Sequence, residues 1–383
     1  MSLTRKSFLN SKGEIYLTQK EIRTLAKEHD IEEIIEVLGK IVDELPFPLT
    51  EYTDQEVITD FNRLKNTHLE VIRGGWVSHR IDEAISPLYR GESIRFPKTR
   101  NIGGKVSNQY TEALRLSTPH ARYKSHKDLW YAKRKYWLKY FFNIKMHTGN
   151  LEQGKLRQGL SGQYYCSQFK PLIAKSMYDT FQAKRVLDFS AGWGDRLVGF
   201  LASGAESYVG IDPNSKLHEP YQKIADSISD RVASTFVSPA EDFDYNSVEY
   251  DFVFTSPPYF DLERYSNEGT QSWKRYSEFE EWVQNFLFKT LTACWRNLSD
   301  NGRMIINISD IYSKGAKREI CSPMLRHMES LGATYEGVIG YEMAHKTSKS
   351  VKRHDLPFCE PMFVWSKGNP PEPQWNSQLF FEI

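Results

Sequence analysis

From about residue 155 onward the chain alternates short β-branched or apolar runs with helical stretches. That alternation restricts the fold more than any other feature of its 383 residues. The runs fall at 185–189, 207–211, 235–237, 252–255, 304–308, 335–339 and 361–365. They are too short for helices, and helices such as 278–297 fit between most of them. The pattern predicts an α/β fold built on a doubly wound, mainly parallel sheet of these seven strands. In such sheets ligands bind outside the carboxyl ends of the strands. The residues that carry chemistry are therefore expected directly after the runs. Residues 1–155 read instead as a mainly helical N-terminal domain ahead of a 156–383 sheet domain. Thr18 with Glu21, Asp30 with Glu33 and Thr53 with Glu56 have capping-box spacing ahead of periodic apolar residues. Pro46 and Pro48 separate the second and third helices, and 73–108 reads as loops or short strands.

Composition removes several classes. No apolar run approaches the roughly 18 residues of a membrane-spanning helix. The start, Met1 to Tyr16, is polar and basic without an apolar core, which is not the pattern of a secretory signal. Cys166, Cys294, Cys321 and Cys359 are scattered, with no CxxC pair and no histidine at ligand spacing. Structural zinc, any other metal site and a disulfide framework are not expected, and a reducing intracellular compartment is. A formal net charge of +1 excludes polyanion binding by bulk charge but not by a local basic face.

The first strand runs into Asp188-Phe189-Ser190-Ala191-Gly192-Trp193-Gly194-Asp195-Arg196. The glycines let the backbone turn tightly and approach a ligand without a Cβ in the way. Asp188, at the strand end, is a candidate to hold an ammonium group or a nearby water. The second strand ends in Asp212-Pro213-Asn214, about twenty residues beyond the turn, where an acid takes ribose hydroxyls. An aspartate there also suits the N-cap of the next helix. The third strand leads to Pro239-Ala240-Glu241-Asp242, which offers a carboxylate to an adenine amino group. Together these elements resemble the cofactor half of class I S-adenosylmethionine-dependent methyltransferases over roughly 160–310. The resemblance implies a Rossmann-like fold, S-adenosyl-L-methionine as cofactor, and contacts from Ser190, Ala191, Gly192, Gly194, Asp212 and Pro213. In that family an acid often stands two places before Glu241, where this chain has Pro239, so the adenine contact is divided between Glu241 and Asp242. Upstream, Ser167 and Phe169 sit in a stretch similar to the family's segment that closes over the methionine moiety.

The fourth strand ends in Ser256-Pro257-Pro258-Tyr259, the most specific motif in the chain. It resembles the Asp/Asn/Ser-Pro-Pro-Tyr motif of amino-methyltransferases, among them DNA adenine-N6 and cytosine-N4 enzymes. The chemistry explains the residue types. The lone pair of an exocyclic base amine is delocalised into the ring. Two acceptors, the Pro257 carbonyl and the Ser256 hydroxyl, can take its two hydrogens and favour a pyramidal, nucleophilic nitrogen. Two prolines fix φ and present carbonyls stiffly. Tyr259 can stack on a flipped-out ring. The serine in first position, with Arg264-Tyr265, Trp282 and 305–310 downstream, is similar to cytosine-N4 enzymes, although those more often place this motif before the cofactor motif. Cytosine N4 is therefore preferred to adenine N6. Carbon methylation needs a cysteine nucleophile, usually after proline, and no cysteine here has that setting.

Two basic regions are candidates for the nucleic-acid partner, expected to be DNA. One is 122–145, where Arg122, Lys124, Lys127, Lys133 and Arg134 interleave with aromatics. The same pattern also describes an amphipathic helix with its aromatics inside. The other is the loop 345–354 with Lys349, Lys352 and Arg353. An RNA base amine, or a silent fold that only binds nucleic acid, are the alternatives. The oligomeric state is not readable.

Overall fold

Each of the seven apolar runs forms a strand, and all seven lie in one sheet of the computed structural model. The structure describes residues 3–378 except 79, 83, 120–123, 161–165, 263, 314–315, 344–355 and 376. The sheet has ten strands rather than seven: β1 (Val71–Arg73), β2 (Ile94–Phe96), β3 (Arg185–Asp188), β4 (Ser207–Asp212), β5 (Val232–Val237), β6 (Phe252–Thr255), β7 (Arg303–Asn307), β8 (Thr334–Glu342), β9 (Cys359–Ser366) and β10 (Ser377–Gln378). Their spatial order is β10-β1-β2-β8-β9-β7-β6-β3-β4-β5. Strands β3 to β7 are mutually parallel, and β9 runs antiparallel between β7 and β8. The three added strands are two or three residues long, too short to show a period in sequence, and they extend one edge of the sheet.

The chain divides into two compact units, Met1–Glu51 with Glu112–Cys166, and Tyr52–Thr111 with Ser167–Ile383. Residues 52–111, expected in the helical N-terminal domain, thus belong with the sheet. The cause is non-local pairing: Gly340 and Tyr341 of β8 register against Arg95 and Phe96 of β2. The central strands explain why the alternation was legible. Every residue of β6 and β7 is buried, as expected for parallel strands covered on both faces. Leu187, Ile211, Val253, Ile306 and Phe363 share one core with Trp282 and Trp295 from the covering helices.

In the smaller unit the expected helices form at Gln19–Glu28 and Ile31–Asp43. Thr18 and Glu21 make a reciprocal capping box, and Asp30 caps through the Glu32 amide at 2.7 Å. Helices His126–Ala132 and Arg134–Thr148 then resolve the mixed basic and aromatic stretch. Trp130, Trp137, Phe141 and Phe142 are core residues, with the two tryptophans stacked at 4.7 Å. Tyr131, Tyr136 and Tyr140 remain exposed. Most of the interleaved aromatics are therefore packing, which a helix of period 3.6 produces when one face is buried.

Candidate active site

The direction of strand order reverses at β3, which has β4 and β5 on one side and β6 and β7 on the other. A crevice opens at such a switch point. A cleft of about 1140 Å3, counting its open mouth, lies there. The turn after β3 forms one wall. Gly192 and Gly194 have φ of 61° and 83°, a left-handed conformation that glycine adopts without strain. The Ala191 amide donates to the Ile211 carbonyl and the Gly192 amide to Asp212 Oδ2, both at 2.9 Å. The turn is thereby tied to the end of β4. Ser190, Ala191, Gly192, Asp212 and Pro213 all line the cleft. Gly194 does not; it stands at the N-cap of helix Asp195–Ala202.

Asp188 departs from expectation. It is fully buried and lies outside the cleft lining. Arg196 Nε donates to its Oδ2 at 2.7 Å and Arg196 Nη2 to its Oδ1 at 3.2 Å. The hydroxyls of Tyr208 and Thr255 donate at 2.8 and 2.7 Å. With its oxygens occupied by these donors, Asp188 orients Arg196, which does line the cleft. A strand-end acid is visible in sequence, but whether it faces ligand or a buried cation depends on which partner the next helix turns inward.

Asp212 accepts from the Asn214 and Gly192 amides, one at each oxygen. Burial pushes its carboxyl up to about 6, against those two amides. The carboxylate form is the one that accepts from two ribose hydroxyls, so the proton must leave first. Affinity for S-adenosylhomocysteine, followed by calorimetric titration, is expected to fall about tenfold between pH 7 and pH 5 and to level off above pH 7. Asp212→Asn protein should bind weakly with no such slope; a wild-type affinity that is flat from pH 5 to 8 would remove Asp212 from the ribose contact.

The divided adenine contact separates. Glu241 lines the cleft and Asp242 does not. Burial raises the Glu241 carboxyl, and Arg275 Nη1 donates to its Oε1 at 2.6 Å. Asp242 turns outward to Arg275 at 2.7 Å and Lys289 at 3.2 Å. Ser167 and Phe169 line the cleft too. Phe169 meets Phe254 edge-on at 5.6 Å, and the Arg196 guanidinium lies 5.3 Å from its ring centre.

Ser256, Pro258 and Tyr259 line the same cleft, and Pro257, buried between them, does not. The loop is held rigidly. Phe260 takes a positive φ of 48° beneath Arg318, whose guanidinium lies 4.9 Å from its ring and bonds Asp261 at 3.3 Å. The Tyr259 hydroxyl donates to Glu360 Oε1 at 3.0 Å, and Arg80 lies 3.8 Å from that same oxygen. Glu360, Asn307, Tyr341 and Gln271 line the cleft without having been singled out as site residues. Glu360 did leave a signal, a lone acid opening an otherwise apolar strand. All four cysteines are buried outside the cleft lining, and burial pushes the Cys359 thiol up to about 12.

The basic residues divide. Lys124, Lys127 and Lys133 are exposed. Arg134 pairs with Asp43 and packs over the Tyr131 ring, so its charge is already engaged. Arg122, Lys349, Lys352 and Arg353 lie outside the described residues. Among the described residues no group of three or more His, Cys, Asp or Glu could hold a metal, and no helix is long and apolar enough to cross a membrane.

Strand order, the antiparallel β9 and a cleft at the switch point define a class I, Rossmann-like methyltransferase fold. Residues 250–379, which begin just before β6 and include the Ser256–Tyr259 turn, match the DNA methylase family of N6/N4 type. Fold and match are those of a methyltransferase, and S-adenosylmethionine is the cofactor they imply. No curated protein matches the chain significantly. Solved structures similar to part of it include an S-adenosylmethionine-dependent methyltransferase from Agrobacterium tumefaciens (18% identity, 53% of this chain and 64% of that one, TM-score 0.35). TrmN from Thermus thermophilus (14%, 52% and 49%, TM-score 0.34) and a precorrin-6y C5,15-methyltransferase from Geobacter metallireducens (10%, 51% and 86%, TM-score 0.33) are others.

The donor set fits that cofactor. Asp212 supplies an acceptor for vicinal hydroxyls, and Pro213, Ala240 and Phe286 supply apolar walls for a purine. Gln271, 4% exposed, carries an amide nitrogen with no partner among the described residues. Lys170, Asp195 and Arg196 bring both signs of charge to the lining, complementary to a zwitterionic amino acid.

Proposed function

We propose that the protein methylates an exocyclic amino group of a DNA base, with cytosine N4 preferred to adenine N6. The observation that carries this reading is one cleft lined by both the Gly192–Asp212 turn and the Ser256–Tyr259 turn. The DNA methylase match over 250–379 supports DNA as the substrate. When bound, the cofactor supplies an electrophilic methyl group on a sulfonium. Ser256 and the Pro257 carbonyl would accept the two amine hydrogens, so that the nitrogen lone pair is free to attack the methyl carbon in line as its bond to sulfur breaks, the neutral thioether leaving and one amine hydrogen passing as a proton to water. Tyr259 stacks on the target ring, which must leave a duplex to reach the cleft. The cysteines, buried away from the cleft, supply no nucleophile for ring carbon.

The test is methyl transfer from labelled S-adenosylmethionine to unmodified duplex DNA and to total RNA, followed by nucleoside mass spectrometry. N4-methylcytosine in DNA is the expected product. N6-methyladenine in DNA would change the base, label confined to RNA would replace the substrate, and no label in either would end the reading.

Target binding is assigned to Lys124, Lys127 and Lys133 beside the exposed Tyr136 and Tyr140, and to Lys349, Lys352 and Arg353. Reversing the charge of Lys124, Lys127 and Lys133 should flatten the slope of log affinity against log salt by about 0.9 for each phosphate no longer neutralised. An unchanged slope and affinity would exclude these three lysines from the interface.

A further inference from the structure

We propose that Gln271 reads the adenine of the cofactor, its carboxamide pairing with the amino edge of the purine. The inference rests on the S-adenosylmethionine reading of the cleft and goes beyond the residues assigned above. Gln271 lines the cleft and is 4% exposed, yet its Nε2 has no hydrogen-bond partner among the described residues. A buried amide left unpaired is costly, and a wall that had only to pack would be served better by leucine.

The surrounding contacts say which part of a ligand meets it. The Thr270 hydroxyl donates to the Pro213 carbonyl at 3.1 Å, and Ser215 donates from its amide and hydroxyl to Glu268 at 3.1 and 2.8 Å. These bonds clamp the segment to the end of β4, beside the ribose acid. Gln271 is itself the N-cap residue of helix Ser272–Arg275, and Arg275 bonds Glu241 at 2.6 Å. Gln271 is thus held between the Asp212–Pro213 corner and Glu241, where an adenosine bound at Asp212 would bring its purine.

The chemistry selects adenine. A carboxamide offers one acceptor and two donors side by side. The amino edge of adenine offers a donor beside a ring-nitrogen acceptor, so the two pair bidentately. The second amino hydrogen is left for Glu241. On its N7 side hypoxanthine presents two acceptors, O6 and N7, and mismatches this arrangement; on its N1 side a carboxamide turned over would pair with O6 and N1–H, so a preference for the adenosyl compound marks pairing at the N7 edge.

Calorimetric titration of the full chain with S-adenosylhomocysteine, S-inosylhomocysteine and the 1-deaza and 7-deaza adenosyl analogues tests this without any methyl acceptor. Wild-type protein should prefer the adenosyl to the inosyl compound by about tenfold or more. Gln271→Leu should weaken the adenosyl compound about tenfold, leave the inosyl compound nearly unchanged, and so abolish the preference. One deaza analogue should lose affinity in wild type and lose nothing further in the variant, which identifies the ring nitrogen. Gln271→Glu, which keeps the size and loses the amide donor, should behave like the leucine variant. Wild-type affinity and preference in either variant would overturn the proposal, as would an equal loss for all four ligands, the mark of general damage to the wall. If wild-type protein bound neither nucleoside, the cofactor reading itself would fail, an outcome distinct from binding that ignores residue 271.

Discussion

Tyr259→Ala protein is expected to lose roughly 10²-fold to 10³-fold in kcat for methyl transfer while binding S-adenosylhomocysteine within about threefold of wild type. The expectation follows from where the ring stands. Tyr259 lines the cleft in the turn after β6, apart from the Gly192 and Asp212 turns assigned to the cofactor, so its removal is expected to unseat the acceptor base rather than the cofactor. Its hydroxyl bond to Glu360 adds a second, finer expectation. Glu360, its side chain 16% exposed, is placed to position the tyrosine through that bond, which the next variants test. Glu360→Ala should lower kcat about tenfold with little change in KM, and Glu360→Gln, which keeps an oxygen for the Tyr259 hydroxyl, should recover most of it. Single-turnover kinetics separates the chemical step from binding. Full activity in Tyr259→Ala would remove the Ser256–Tyr259 turn from catalysis. A glutamine variant as slow as the alanine one would show that Glu360 does not act through its hydrogen bond.

Asp188→Ala protein is expected to be less stable by roughly 3–5 kcal/mol, measured by urea unfolding. Asp188 and Arg196 are 0% and 5% exposed, and removing the carboxylate leaves a guanidinium buried without its counter-charge. The Tyr208 and Thr255 hydroxyls lose their acceptor at the same stroke. Truncating one partner of such a pair costs far more than the intact pair contributes, because the remaining charge has lost its solvation. S-adenosylhomocysteine should recover part of the loss by binding the folded form. Unaltered stability with abolished cofactor binding would restore the direct ligand contact that a strand-end acid suggests.

Much of the fold was legible because its signals are local. Seven apolar runs became seven strands, since a parallel strand buried on both faces must be apolar along its length. The helix starts at Thr18 and Thr53 were visible because a cap and its glutamate sit three residues apart. The cleft lining at Gly192 and Asp212 and the turn at Ser256–Tyr259 were legible for a related reason. A turn that follows a strand carries its own backbone requirements in glycine and proline, and the sheet then sets it at the carboxyl edge.

What the tertiary structure alone decided is partnership across the chain. Residues 52–111 join the sheet because Arg95 meets Gly340, a pairing 245 residues apart that no local period announces. Glu241 faces the cleft and Asp242 faces Lys289, although the two are neighbours with the same chemistry. Asp188 turns to a buried arginine, Glu360 to the Tyr259 hydroxyl and Gln271 into the cleft, and the aromatics of 134–148 divide between core and surface. In each case residue type states which bonds a side chain is able to make. Only the packed chain determines which partner is within 3 Å and whether water is shut out, and on those two conditions the strength of a polar contact depends.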